Sequence, residues 1–257
     1  MGASNDHQST FCLACGERPT IRTHLIPQAF TREVRSGDNQ LALTNGSKFR
    51  ISQNALHDNS ILCAECDNRL GKNERYAFEA FCRLRTETNS KLNTHERSPA
   101  SGDTLIRFAA GISWKYCVTK PEYGCIDGVG PYADLLKRAA LGEGAIPPSI
   151  DMFLIRLKAL QLEERFFRAP MPDRQFGVNL IRLTLGAFLM FLKIDKRPPP
   201  RIGMPEIWMR GRSEVVFPVC PMNMFEEGRA VTEGWKLNKK LAKWIFEPVL
   251  KETQRNL

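Results

Sequence analysis

Two Cys-x-x-Cys pairs, Cys12/Cys15 and Cys63/Cys66, hold the clearest chemistry in this chain. Each pair can wrap a metal ion from one tight turn. Together they offer four thiolates, the ligand set of a tetrahedral structural Zn²⁺. Gly16, directly after the first pair, relieves the backbone where the thiolates converge. Between the pairs, His24 lies in the segment Thr23-His24-Leu25-Ile26-Pro27, and the second pair sits in Leu62-Cys63-Ala64-Glu65-Cys66-Asp67-Asn68. This spacing predicts a zinc clasp that holds His24 in place as the chemical group. Cys82, Cys117, Cys125 and Cys220 are scattered and read as core or surface thiols.

The elements around these residues must deliver them to one place. Residues 1–10 read as a polar tail, and Thr20–Ile26 as a short strand that Pro27 ends. Residues 28–35 suit a short helix, Ser36–Asn39 a turn, and Leu41–Ser52 a hairpin around Asn45-Gly46. From Asp67 the apolar residues Leu70, Tyr76, Phe78, Phe81 and Leu84 recur in threes and fours, which predicts a helix. The polar stretch 86–103 reads as a linker between a module at 11–85 and a second domain at 104–257. In the second domain, helices are expected at Thr104–Val118, Pro131–Leu141 and Gly234–Lys251. Strands of an antiparallel sheet are expected at 150–160 and 176–194, with a hairpin over 206–219 around Gly211. Trp208, Trp235 and Trp244 read as core. The fold class is α+β.

Bulk composition narrows the function. With 257 residues, 42% hydrophobic and 25% charged, the chain has the material for a sizeable core. The N-terminal Met1–Gln8 stretch has no apolar centre, which argues against a secretion signal. The longest apolar run, Leu183–Leu192, is too short to span a bilayer as a helix. A cytoplasmic protein with reduced thiols and no membrane partner is expected. The net charge of +9, most of it in residues 101–257, favours an acidic partner, of which nucleic acid is the commonest.

The order Cys-x-x-Cys, His-Leu-Ile-Pro, then Leu-Cys-x-x-Cys-Asp-Asn with a helix to follow resembles the zinc-clasped branch of the HNH endonucleases, over residues 11–80. That resemblance implies a ββα-metal core on a treble-clef zinc knuckle. It implies His24 as the general base that takes a proton from an attacking water, for which a neutral imidazole with a pKa near 6.5 is suited. It implies Asp67 as ligand of a catalytic Mg²⁺ or Mn²⁺, which prefer oxygen donors. Asp58 or Asn59 falls near the residue that orients the histidine. Thr23 departs from the pattern, since many relatives carry an acidic metal ligand there; His57, Asp58 or Glu74 would complete the shell.

Several of these residues have a plainer alternative. Asp67 suits a helix N-cap, and His57 an exposed loop. Arg69, Lys72 and Arg75 serve equally as phosphate contacts or as a solvated helix face. Trp114 with Lys115, and Lys193, Lys196, Arg197 and Arg201 around the prolines, suit a phosphate track. The expectation is a metal-dependent endonuclease acting on nucleic acid, DNA above all, in a bacterial-defence setting that the resemblance alone suggests. Residues 104–257 are left for target choice, a homodimer or a protein partner. The alternative is a non-catalytic zinc module that binds nucleic acid or protein.

Overall fold

A computed structural model of the chain describes residues 11–33, 35–36, 39–43, 49–52, 56–87, 91–159, 166–201 and 204–237. In chain order the elements are β1 (Thr23–His24), α1 (Gln28–Glu33), β2 (Arg35–Ser36), β3 (Asn39–Leu43), β4 (Phe49–Ser52), β5 (His57–Asp58) and α2 (Ala64–Glu87). Then come β6 (Thr94–Pro99), α3 (Gly102–Val118), α4 (Tyr132–Ala140), β7 (Ile150–Lys158) and β8 (Phe166–Gln175). The chain continues through β9 (Val178–Leu185), β10 (Phe188–Ile194), β11 (Glu214–Pro221) and α5 (Glu226–Leu237).

Among the described residues, nine strands form one sheet in the order β2-β3-β8-β9-β10-β7-β11-β6, with β4 also on β3. Strands β1 and β5 form a separate antiparallel pair. The sheet is mixed, because β11 runs parallel to β7 and β3 parallel to β8; the purely antiparallel expectation is corrected on this point. Alternation along β10 assigns its faces. Phe188, Met190 and Leu192 enter the core under the helices, while Leu189 and Phe191 enter a second core on the far face.

The rings of Phe30, Phe81, Phe108 and Phe188 pack in sequence at centroid distances of 4.6–6.0 Å. They join α1, α2, α3 and the sheet into one continuous core that also takes in Leu25, Ile61 and Cys63. Described residues from 11–85 and from 104–237 therefore contribute to one core. The stretch 86–103 is not a free linker either: Thr94–Pro99 is an edge strand antiparallel to β11. An edge strand carries little apolar alternation, and only Ser98 of this one is buried, which is why it reads as linker.

Strand β8 was missed for a related reason. Pro170 and Pro172 lie inside it; Pro170 falls at a register shift between Arg168 and Met171, and Pro172 is paired with Ile181 just beyond it. The hairpin expected over 206–219 is a single strand, β11, preceded by a short 3₁₀ turn at Pro205–Ile207. The 41–52 hairpin forms as β3 with β4, although Asn45-Gly46 lies outside the described residues. Helix α5 begins ahead of the expected closing helix, and residues 238–257, with Trp244, lie outside the described residues.

Helix α3 starts where Ser101 caps it, accepting from the Thr104 N–H at 3.2 Å while its own N–H donates to the Tyr76 hydroxyl at 2.6 Å. The next residue, Gly102, presses on Met209: an added Cβ would stand 1.9 Å from that carbonyl oxygen. Gly102→Ala is expected to destabilise the protein by about 1–3 kcal/mol, as for other overpacked sites. The check is the thermal midpoint, which should fall; an unchanged midpoint would mean the helix start is not tightly seated.

Candidate functional site

The first cysteine pair is folded by its own backbone. The Gly16 N–H donates to the Cys12 carbonyl at 2.7 Å, and Gly16 adopts φ +75°. Two further bonds lace this turn to the second pair: Leu13 N–H to Ile61 O at 2.8 Å, and Ile21 N–H to Leu62 O at 2.7 Å. Helix α2 starts at Ala64, inside the second pair, so Cys66 sits in its first turn. One ligand atom from each of Cys12, Cys15, Cys63 and Cys66 lies within 4.8 Å of the others. Tetrahedral Zn–S bonds of about 2.3 Å require S···S separations of about 3.8 Å, and Cys15 Sγ stands 3.9 Å from Cys63 Sγ. All four are free thiols, three of them buried. Burial and the crowding of the other thiols push the Cys66 thiol well up. Four convergent thiols, three of them buried and none in a disulfide, suit a thiophilic divalent ion, and the set fits zinc.

The clasp brings β1, β5 and α2 together. Register pairs His24 with His57 and Thr23 with Asp58, so side chains alternate across the small ladder. The His24 and His57 rings meet edge to face at 6.4 Å. His57 Nδ1 lies 3.2 Å from an Arg22 guanidinium nitrogen. His24 Nδ1 is buried and makes no hydrogen bond. Burial, followed by the positive fields of Arg22, His57 and Lys115, pulls the His24 pKa below the ordinary histidine value.

Asp67 and Glu74 are seven residues apart on α2, about 20° from each other around the axis at 100° per residue. Burial raises the Asp67 carboxyl above the ordinary range, against the opposing pull of Lys115. The Thr23 hydroxyl is buried and close enough to favour ionised Asp67, yet completes no hydrogen bond. Lys115 reaches in from α3. Its Nζ donates to the His24 carbonyl at 2.7 Å and to Glu74 Oε1 at 2.9 Å.

The remaining expected residues divide. Asp58 accepts from the Ser60 N–H at 2.8 Å, the Ser60 hydroxyl at 2.5 Å and the Thr119 hydroxyl at 2.7 Å. Burial alone would raise its pKa; these bonds outweigh it and lower it. Its oxygens thus pin the β5 turn to the end of α3, and none of these bonds comes from His24. Asn59 is exposed in the bend that follows. Arg69 is turned to the C-terminus of α4, bonding the Leu141 carbonyl at 2.7 Å with Glu143 at 3.8 Å. Lys72 and Arg75 are exposed. Arg69 and Lys72 lie far around α2 from Asp67, at the helical step of 100° per residue. Trp114 and Lys115 are buried core rather than a phosphate track. Lys193 is buried as well, bonded to the Ser149 carbonyl at 3.3 Å, and Arg197 is paired with Asp195.

The oxygen donors do not fit a divalent ion as the sequence led one to expect. Glu74 is engaged by Lys115, His57 faces Arg22, and Thr23 brings a hydroxyl where a third carboxylate was needed. Sequence reasoning missed Lys115 and Arg22 as site residues. The one signal for Lys115 was a lysine in the apolar Ser113–Tyr116 run of a helix.

Comparison of the chain with protein-family models, with curated proteins and with solved structures finds no match to any of them.

Cys63→Ser is expected to lower bound zinc from about one ion per chain to a small fraction of that, with loss of cooperative unfolding in the clasped segment. Atomic absorption together with thermal unfolding checks this; full zinc retention would contradict the four-thiolate assignment.

Proposed function

We propose that the protein cleaves phosphodiester bonds of nucleic acid, with His24 as the general base, on a scaffold set by the four-cysteine zinc clasp. The observation that carries this reading is the state of His24. Its Nδ1 has no protein partner, and its pKa is held below the ordinary value, so the imidazole is neutral and able to take a proton at pH 7. In this reading a water loses its proton to His24 as its oxygen bonds to phosphorus. The bond to the leaving ester oxygen breaks, and that oxygen is protonated from solvent. Arg22, exposed beside His57, is positioned to meet the negative phosphate, and the overall charge of +9 favours approach of the nucleic acid. The resemblance also implies a Mg²⁺ or Mn²⁺ at Asp67, but Glu74 is engaged by Lys115 and Thr23 brings no charge, so no step of this reading is routed through that ion. The resemblance to HNH endonucleases supports the assignment of the base and of DNA as target; a host-defence role rests on that resemblance alone.

A second reading is favoured by the closed bonding of Asp58, which leaves His24 without an orienting side-chain carboxylate. Here the clasp is a non-catalytic module that binds nucleic acid or protein, and residues beyond 103 supply the partner surface.

Nicking of supercoiled plasmid separates the two readings. His24→Ala, with zinc content unchanged, is expected to lower the rate about 10²–10⁴-fold, the usual worth of a general base. Plasmid shifted in a gel but cut by neither protein would select the binding module.

The wild-type rate should also show an acid limb. A base with a lowered pKa stays neutral until the pH drops below the ordinary histidine value near 6.5, so the rate should be flat at neutral pH and fall only below that point. A limb centred above pH 7 in the rate–pH profile would contradict His24 as base.

A further inference from the structure

Lys115 belongs to α3, outside the clasped segment, yet its ammonium ends inside it. It bonds the main-chain carbonyl of β1 at His24 and the carboxylate of α2 at Glu74. The lysine side chain is 1% exposed, against 23% for Glu74, so water does little to solvate the charge. A buried ammonium persists only where anions compensate it. Here the compensating anions are Glu74, by direct contact, and Asp67, which also feels the lysine's field. These are the carboxylates that a divalent ion at this place would need. The third ligand position, Thr23, is fully buried and carries no charge, and its hydroxyl completes no hydrogen bond. A divalent ion and the Lys115 ammonium therefore contend for the same oxygens, and like charges a few ångströms apart in a poorly solvated site repel strongly.

We propose that Lys115 is the resident cation of the His24 site: a positioning residue that ties β1 to α2 and supplies, in place of a divalent ion, the positive charge facing Asp67 and Glu74. Its catalytic consequence rests on the phosphodiesterase reading; its consequence for metal binding does not. Cleavage then proceeds with structural zinc as the sole metal. The helix that follows residue 101 is part of the site, because it carries the cation.

The test is Mn²⁺ binding to the zinc-loaded full chain, followed by electron paramagnetic resonance. Wild type should bind no Mn²⁺ at these carboxylates up to about 1 mM, whereas Lys115→Met, with zinc content unchanged, should gain a site at least about tenfold tighter. Adding Glu74→Gln should abolish that gained site. A lysine that merely fills space would create no metal site on removal. Should Lys115→Met lose its zinc, Thr23→Asp serves instead; a carboxylate beside Asp67 offsets the ammonium and should also tighten Mn²⁺ about tenfold. Mn²⁺ bound by wild type and lost in Glu74→Gln overturns the proposal, as does the absence of any gain in a folded variant. Plasmid nicking is the separate arm. Wild type that nicks only with added Mg²⁺ overturns the proposal and keeps the phosphodiesterase reading. Wild type that never nicks, but shows the expected Mn²⁺ pattern, removes that reading and leaves Lys115 as the resident cation.

Discussion

Four thiols drawn within 4.8 Å of one another are the constraint on which the small ladder depends. Strands β1 and β5 are two residues long, far below the length at which a strand pair holds itself together in water. Their geometry is fixed from outside. The first cysteine turn is laced to Ile61 and Leu62, the second opens α2, and a zinc ion would lock the two turns as one object. What lies between the turns must then pass across the face of α2. His24 sits there with its main-chain carbonyl bonded by Lys115 and its ring Nδ1 buried and unbonded.

The second determinant is charge. Two carboxylates, two histidines, Arg22 and Lys115 gather around a ladder of four residues, and most of their pKa pressures run against the charged form of His24. Lys115 is the piece that ties this group to the larger fold. It sits on a helix buried on nearly every side, in register with the aromatic stack that binds α1, α2 and α3 to the sheet. Clasp and sheet therefore share one core, and the site is assembled from both. Asp58 makes the same link from the other strand, through Thr119 at the end of α3.

Much of this was legible in the residues. The Cys-x-x-Cys spacing identified the metal-type cluster and the periodicity of Leu70 to Leu84 marked α2, while the strand expected over Thr20–Ile26 forms only at Thr23–His24, ending before Pro27. The apolar runs gave β7, β9 and β10, because a strand buried on both faces is a continuous hydrophobic signal. Other features were hidden for definite reasons. Strand β6 is polar because it lies at an edge, and β8 contains two prolines, one of them at a register shift. The parallel pairings of β3 and β11 depend on long-range topology, which no local pattern encodes. Lys115 looked like one more basic residue available to a phosphate. Only packing, which buries it and aims it at Glu74, distinguishes an internal counter-charge from a surface contact. The roles of Asp58 and Arg69 were obscured in the same way, since their partners Thr119 and Leu141 are remote in sequence.

The central claim is that the zinc clasp holds the His24 strand in place. Amide hydrogen exchange at Leu13, Ile21 and Leu25, compared between zinc-loaded and chelated protein, tests it most directly. These three N–H groups bond Ile61, Leu62 and Leu56 across the clasp and its ladder. The account predicts strong protection with zinc and at least about a hundredfold faster exchange without it, while amides of β10 in the sheet stay protected. Equal protection in both states would contradict it, and would mean that the ladder is held by the sheet-borne core alone.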